Sequence, residues 1–353
     1  MTKLRLGVIG AGSWAVASHL PNFAARAADV EFVGVCRHGT ELLGRIKENW
    51  GFRVASEDYR DVIDAGMDIC LVASPHSLHY EHAKAALDAG AHVLCEKPFT
   101  LQPAEAWDLV ETARAKGLHL LVSYGWNYLP WSREAKRLMT EYGIGEIEHS
   151  TLHMASVTRE LLANLAAYPL AAPESLPEPA TWTDPRNGGG YGQAQLTHAL
   201  GLALWLSDLR GESAFALLKA VLDAPVEHHD AVAVRYDNGS IGTISGGSCH
   251  DGPGENRQQL EFRAVGSEGQ FTIDLERDEV WLWRSDGFEA RPTLEQGAFL
   301  YDCDGPPNAL VDLALGQDVE NCSPGELGAR TVEILDAAYR SAASGSLEHV
   351  RVA

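Results

Sequence analysis

Three short stretches of this chain hold residues able to do chemistry. The first is Cys95-Glu96-Lys97-Pro98, which closes the apolar run AHVL at 91–94. An ammonium at the end of a hydrophobic strand is costly to hold, so Lys97 is expected to be used there. The second is Gly10-Ala11-Gly12-Ser13-Trp14-Ala15, a GxGxxA pattern that follows the β-like run LRLGVI and opens a helix. Gly10 permits a tight turn, Gly12 lets the main chain approach a pyrophosphate, and Ala15 is small enough for the helix to pack on the sheet. The helix start adds unpaired N–H groups and a positive dipole end for phosphates. The third is QAQLTHALG, which places His198 in a helical pattern with Gln195 three residues before it, on the same face.

A dinucleotide site of this kind ordinarily has an acid at the end of the second strand to accept the ribose hydroxyls. Here that strand ends VGVC, so Cys36 stands in the acid's place, followed by Arg37 and His38. With no carboxylate there to repel a 2′-phosphate, and with the Arg37 fork able to pair with one, the sequence favours NADP over NAD. Glu41 or a main-chain group holding the ribose is the competing reading.

The elements that must position these residues follow a βα alternation over the first third of the chain. Apolar runs at 4–9, 31–36, 67–74, 91–97 and 118–125 are separated by helical patterns, with PAEAWDLVETARAKG at 103–117 the plainest of them. Nearly continuous apolar strands alternating with helices imply a parallel sheet covered on both faces. Lys97 then sits at the C-terminal end of a parallel strand, where such sheets bind ligands. Beyond Trp126 the pattern changes. One helix, SREAKRLMTEYG, is followed by IEHSTLHMAS, by a polar, proline-rich stretch at 169–185, by a helix near 193–209, and then by period-two runs such as AVAVRY and FTIDLE. YDNGS is a hairpin turn signal. The expected architecture is an α/β, Rossmann-type parallel-sheet domain at 1–124 and an α+β domain at 125–353 with a large, mainly antiparallel sheet. Helices are expected at 307–321 and 325–344, with room for them to pack back on the first domain.

Composition narrows the function classes. Twenty-eight basic against 49 acidic residues give a formal charge of −21 over 353 residues, and no basic stripe offers a nucleic-acid surface. No apolar run reaches the roughly 18 residues of a membrane span. Lys3 and Arg5 before LGVIGAGSWAVA superficially resemble a signal peptide, but the glycine spacing explains that stretch better. Six scattered cysteines without a CxxC pair suit reduced thiols, and the expected location is cytoplasmic. No zinc or calcium pattern appears; His228-His229 is a lone adjacent pair.

The segments GVIGAGSWA at 7–15, SPHSLHYEHAKAALDAGAHVLCEKP at 74–98, YGWNYLP at 124–130 and DPRNGGG followed by His198 lie in order with suitable spacing. Together they resemble the Gfo/Idh/MocA oxidoreductase family, named for glucose–fructose oxidoreductase and inositol dehydrogenase, and the layout extends over essentially the whole chain. The resemblance implies an NAD(P)-dependent enzyme moving hydride between nicotinamide and a secondary alcohol or ketone of a sugar, cyclic polyol or related carbohydrate. It implies Lys97 beside the reacting carbon and His198 as the base. The family's helix carries an aspartate four residues before that histidine, and here the position is Ala194. Tyr124, Trp126 and Asn127 would approach substrate, and Arg159, Trp182, Asp184 and Gln195 would grasp hydroxyls or, with Arg186, an acidic group. The cofactor would lie on Gly10, Ala11, Gly12, Ser13, Trp14, Arg37, Ser74, Pro75, His76, His79, Glu96 and Lys97. Two other readings stay open: a lyase or glycoside hydrolase using tightly held NAD(H) for transient oxidation, and an inactive dinucleotide-binding sensor or interaction protein, for which Ala194 is the support. A homodimer or homotetramer is expected.

Overall fold

The computed structural model describes residues 2–166, 178–250, 258–295 and 297–351. Six strands, β1 (Leu4–Ile9), β2 (Val30–Cys36), β3 (Val54–Ser56), β4 (Ile69–Val72), β5 (His92–Cys95) and β6 (Leu120–Val122), form one sheet in the order β3-β2-β1-β4-β5-β6. Every pairing in it is parallel. The order reverses between β1 and β4, so their C-terminal ends open a crevice, which the glycine loop after β1 and the turn after β5 both border. Ile69, Leu71, Val93 and Leu94 are fully buried, as a sheet covered on both faces requires.

The second sheet has nine strands, continuing as β7 (Ile147–Ser156), β8 (Gly211–Lys219), β9 (His229–Tyr236), β10 (Ile241–Ser248), β11 (Gln258–Gly266), β12 (Gly269–Asp274), β13 (Glu279–Arg284), β14 (Glu289–Ala290) and β15 (Glu348–His349). Its order is β14-β13-β12-β11-β7-β10-β9-β8-β15, antiparallel except for the β7–β10 pair. The turn read from YDNGS joins β9 to β10, with Asn238 accepting from the N–H of Ser240 and Gly239 at φ +84°. One face of this sheet is covered by the helices Thr197–Ser207 and Gly325–Ser344, whereas Phe215, Leu217 and Ile241 are exposed.

Several expectations change in detail. β3 and the helix Tyr59–Asp64 lie where no element is expected from the sequence. The helix expected over 307–321 runs Gly305–Ala314, entered by prolines at its first turn and followed by Gly316 at φ +74°. Its Leu310 and Val311 join the core of the first sheet. The helix Gly325–Ser344 packs on both β8 and the helix Pro103–Lys116, bracing the two sheets together. The proline-rich stretch at 169–185 lies largely outside the described residues; from Ala180 it forms a short helix, Ala180–Thr183. Two single-turn π segments, Ala15–His19 and Gly192–Leu196, interrupt what the apolar pattern reads as plain helix. Such π turns are frequent at functional sites.

Candidate functional site

The glycine loop has the geometry its sequence demands. Gly10 has φ +93°, and a Cβ there would come within 2.2 Å of the Ser74 nitrogen, so β1 and the β4 loop can meet only at glycine. A Cβ on Gly12 would meet nothing within 4 Å: its open side is the approach that a pyrophosphate needs. Ala15, the first residue of the π turn, is buried, and the N–H groups of Gly10 and Ala11 are fixed on the Cys36 carbonyl. These residues fit a dinucleotide.

After β5 the chain places Glu96 and Lys97 on opposite sides of one turn, with a cis bond to Pro98. Glu96 is buried. His19, the last residue of the first π turn, donates from Nε2 to its Oε1 at 2.6 Å, and the Lys97 N–H donates to its Oε2 at 3.1 Å. Burial would raise this carboxyl's pKa, but the His19 hydrogen bond and charge, with the nearby Lys97, outweigh it and pull the group down to about 2. Lys97 points the other way. Its Nζ donates to the carbonyl of Ala194 at 2.9 Å, inside the second π turn, and stands 5.7 Å from the Trp182 ring. Burial holds its pKa below the ordinary lysine value.

His198 follows one turn after Ala194. Its ring is bounded by Tyr124, Trp126 and Tyr301 at centroid distances of 6.3, 5.9 and 5.5 Å, all edge-on. Burial, reinforced by the Lys97 charge, keeps the imidazole neutral, well below its usual pKa. Its Nδ1 has no partner among the described residues, and the same holds for Oε1 of Gln195 and Nε1 of Trp126 and Trp182. Ala194 supplies no carboxylate, and its main-chain oxygen serves Lys97 instead.

The other expected residues divide. His79 sits between the carbonyls of Pro98 at 2.7 Å and Ser74 at 2.8 Å, clamping the lysine turn to the β4 loop that begins Ser74-Pro75. His76 reaches the Gly188 carbonyl at 3.1 Å and packs edge-on against Trp182, tying the glycine-rich segment to the first sheet. A Cβ on Gly188, at φ +76°, would strike Leu101. Asn127 turns away and donates to the Cys322 carbonyl at 2.9 Å, and the Tyr124 hydroxyl is bonded to Thr331 and Thr197. Asp184 gives both carboxylate oxygens to Arg186, an arginine whose side chain is 89% exposed, and Arg159 lies at the end of β7, where its carbonyl meets His228. Arg186 is thus already paired, and serving in an anion clamp would require it to leave Asp184.

Sequence reasoning missed two members of this site. His19 had no local pattern to mark it, being separated from Glu96 by 77 positions. Tyr301 comes from the stretch before the helix Gly305–Ala314 and touches Trp14 of the glycine loop at 6.3 Å and Trp126 at 5.3 Å. Among the described residues His19, Glu96 and Cys303 bring three ligand-type atoms within 4.8 Å, but His19 and Glu96 already bond one another and the Cys303 thiol, pushed up by burial to about 12, contacts Ser123 and Tyr301.

Residues 4–124 match the model of the oxidoreductase family with an NAD-binding Rossmann fold, and residues 132–272 match that of the GFO/IDH/MocA C-terminal domain. The chain belongs to the Gfo/Idh/MocA oxidoreductase family. Among curated relatives of this family member, a D-glucoside 3-dehydrogenase of Escherichia coli (strain K12) is 32% identical over 42% of this chain and 43% of its own length. A D-xylose 1-dehydrogenase (NADP(+)) of Hypocrea jecorina is 38% identical over 36% and 35%. A levoglucosan dehydrogenase of Pseudarthrobacter phenanthrenivorans is 26% identical over 79% and 76%. The chain thus spans less than half the length of the first two. An oxidoreductase domain protein from Kribbella flavida superposes with a TM-score of 0.80 at 19% identity, covering 100% of both chains. A levoglucosan dehydrogenase in complex with NADH and levoglucosan gives 0.77 at 21%, covering 99% of this chain and 100% of that one. At these identities the superpositions establish the shared fold. Among the described residues no helix is long and apolar enough to cross a membrane.

Proposed function

We propose that this protein is a nicotinamide-dependent dehydrogenase or reductase acting on a secondary alcohol or ketone of a small carbohydrate or cyclic polyol. The observation that carries the reading is the Lys97 ammonium held on the segment that leads into the helix of His198. The ammonium, from the C-terminal end of β5, bonds the carbonyl one helical turn before the imidazole, beside the crevice where β1 and β4 part. When bound, the nicotinamide supplies the hydride acceptor or donor. Gly10 and Gly12 would hold its pyrophosphate at the start of the helix. In the oxidative direction Lys97 donates to the substrate oxygen and stabilises the developing alkoxide, while neutral His198 accepts the hydroxyl proton. Trp126, Trp182 and Tyr301 offer apolar faces to a sugar ring, and the unpartnered Gln195 Oε1 and indole N–H groups match hydroxyls.

Arg37 is the residue that a 2′-phosphate would meet. There it now donates from Nη1 to the Ala11 carbonyl at 3.1 Å and from Nε to that of His38 at 2.9 Å. The exposed Phe215, Leu217 and Ile241 on the open face of the second sheet support assembly into a homodimer or homotetramer. The test is to follow reduced-nicotinamide formation by the purified protein across neutral sugars and inositols with each dinucleotide, beside Lys97→Ala. Turnover that disappears in the variant is the expected result. Binding of neither dinucleotide would sink the proposal.

A further inference from the structure

One acid in the cofactor half bears on the choice between the two dinucleotides, against the expectation drawn from Arg37. β3 runs alongside β2 so that Ser56 pairs with Cys36, and the Arg37 N–H donates to the Ser56 carbonyl at 3.3 Å. The next residue, Glu57, therefore stands beside the turn Arg37-His38-Gly39 that ends β2. Its Oε1 accepts from the Gly39 N–H at 2.6 Å. Gly39 is the capping residue of the 11-residue helix Thr40–Trp50, so a carboxylate is already docked at the positive end of that helix. That N–H is the main-chain donor, next to Arg37, on which a 2′-phosphate would be expected to settle. Asp58 and Asp61 add negative charge at the same strand end. After burial, these two and Glu57 are what push the Cys36 thiol up to about 11. Arg37, whose fork donates to the main-chain carbonyls of Ala11 and His38, brings one positive charge against these three.

We propose that Glu57, reaching across from the end of β3, replaces the acid missing from the end of β2, accepting the ribose 2′-hydroxyl of NAD(H) and excluding the 2′-phosphate of NADP(H). The exclusion has two parts. A phosphate would have to displace the carboxylate from the Gly39 N–H, and it would then face that displaced charge and those of Asp58 and Asp61. A hydroxyl, by contrast, donates to the carboxylate where it stands.

The inference rests on the dinucleotide lying on the glycine loop, and one binding experiment separates the two. NADH and NADPH are titrated into the full-length protein and into Glu57→Gln, an exposed position whose substitution keeps an acceptor for Gly39 and removes the charge. The wild-type protein should bind NADH at least about ten-fold more tightly than NADPH. In Glu57→Gln that ratio should fall by roughly ten-fold, mainly through tighter NADPH binding. Equal or tighter binding of NADPH by the wild-type protein, or a ratio unmoved by the substitution, would overturn the role of Glu57 while leaving the dinucleotide site standing. Uptake of neither dinucleotide would remove both.

Discussion

The two π turns hold neighbouring residues of one turn in opposite ways. The turn Ala15–His19, in the cofactor half, uses a side chain: His19 bonds the Glu96 carboxylate in a buried pair. The turn Gly192–Leu196, in the other half, uses its main chain: the Ala194 carbonyl accepts from Lys97. A buried, charge-assisted bond is difficult to release because either partner alone would be left desolvated. A bond from ammonium to a neutral carbonyl is more readily exchanged for one to a substrate oxygen. The difference makes Glu96 the anchored residue and, in the reaction proposed above, leaves Lys97 as the working group, although the two are adjacent in sequence.

Removing the working group is the sharpest way to break this comparison. Lys97→Ala should lower kcat by about 10³-fold or more with dinucleotide affinity nearly unchanged, read from steady-state rates beside a binding titration. A loss shared equally between binding and turnover would place Lys97 with the anchors.

Breaking the anchor should show first in stability. His19→Phe leaves Glu96 buried without its partner and should cost about 3–5 kcal/mol in denaturant unfolding, with His19→Gln recovering part. Acid probes the same region with a definite sign. In the folded state burial, with neighbouring positive charge, holds His76 down to about 3 and His82 down to about 4, from 6.5. An unfolded chain takes up those protons near 6.5 and the folded one does not, so stability present above 6.5 declines as pH falls toward 3. Glu96, pulled from 4.5 to about 2, adds a further loss between those values. Thermal unfolding from pH 7 to pH 3 should show a midpoint falling throughout. A flat profile above pH 5 would mean that the imidazoles are protonated inside the fold.

The sequence made the anchor's surroundings legible and left the anchor itself dark, for physical reasons. GAGSWA and CEKP are contiguous, and each sits where a strand's apolar run stops, so periodicity alone locates them at the sheet's ligand-binding edge. His19 makes its bond to a residue 77 positions away, and no pattern within a window of residues records that. The π turns are equally silent, because one extra residue in a turn leaves an apolar helix such as 193–209 apolar all round. β3 has three residues and the helix after it six, too few for a period to declare itself, which is why Glu57 went unnoticed. Asp184 and Arg186 read as substrate ligands by residue type, but their spacing lets them satisfy each other first.

Restoring the acid that Ala194 lacks sharpens the comparison from the other side. Ala194→Asp would set a carboxylate beside both the Lys97 ammonium and the His198 imidazole. An opposite charge nearby favours the protonated imidazole, so the acid limb of the kcat/KM profile, which in the wild-type protein should lie well below pH 6.5, should move up by about one to two pH units. An unmoved limb would show that His198 does not carry the proton.

The smallest effect belongs to Tyr301. Its ring touches Trp14, Trp126 and His198, while its hydroxyl reaches the Cys303 thiol. If the ring is the wall of the sugar site, Tyr301→Phe should change kcat/KM by less than about three-fold, whereas Tyr301→Ala should raise KM roughly ten-fold with kcat little altered, because lost apolar contact weakens ground state and transition state alike. Should Tyr301→Phe instead lower kcat as far as Tyr301→Ala does, the hydroxyl is acting on the reacting oxygen. The division of labour between the two π turns would then need a third contributor, from the segment that leads into the helix Gly305–Ala314.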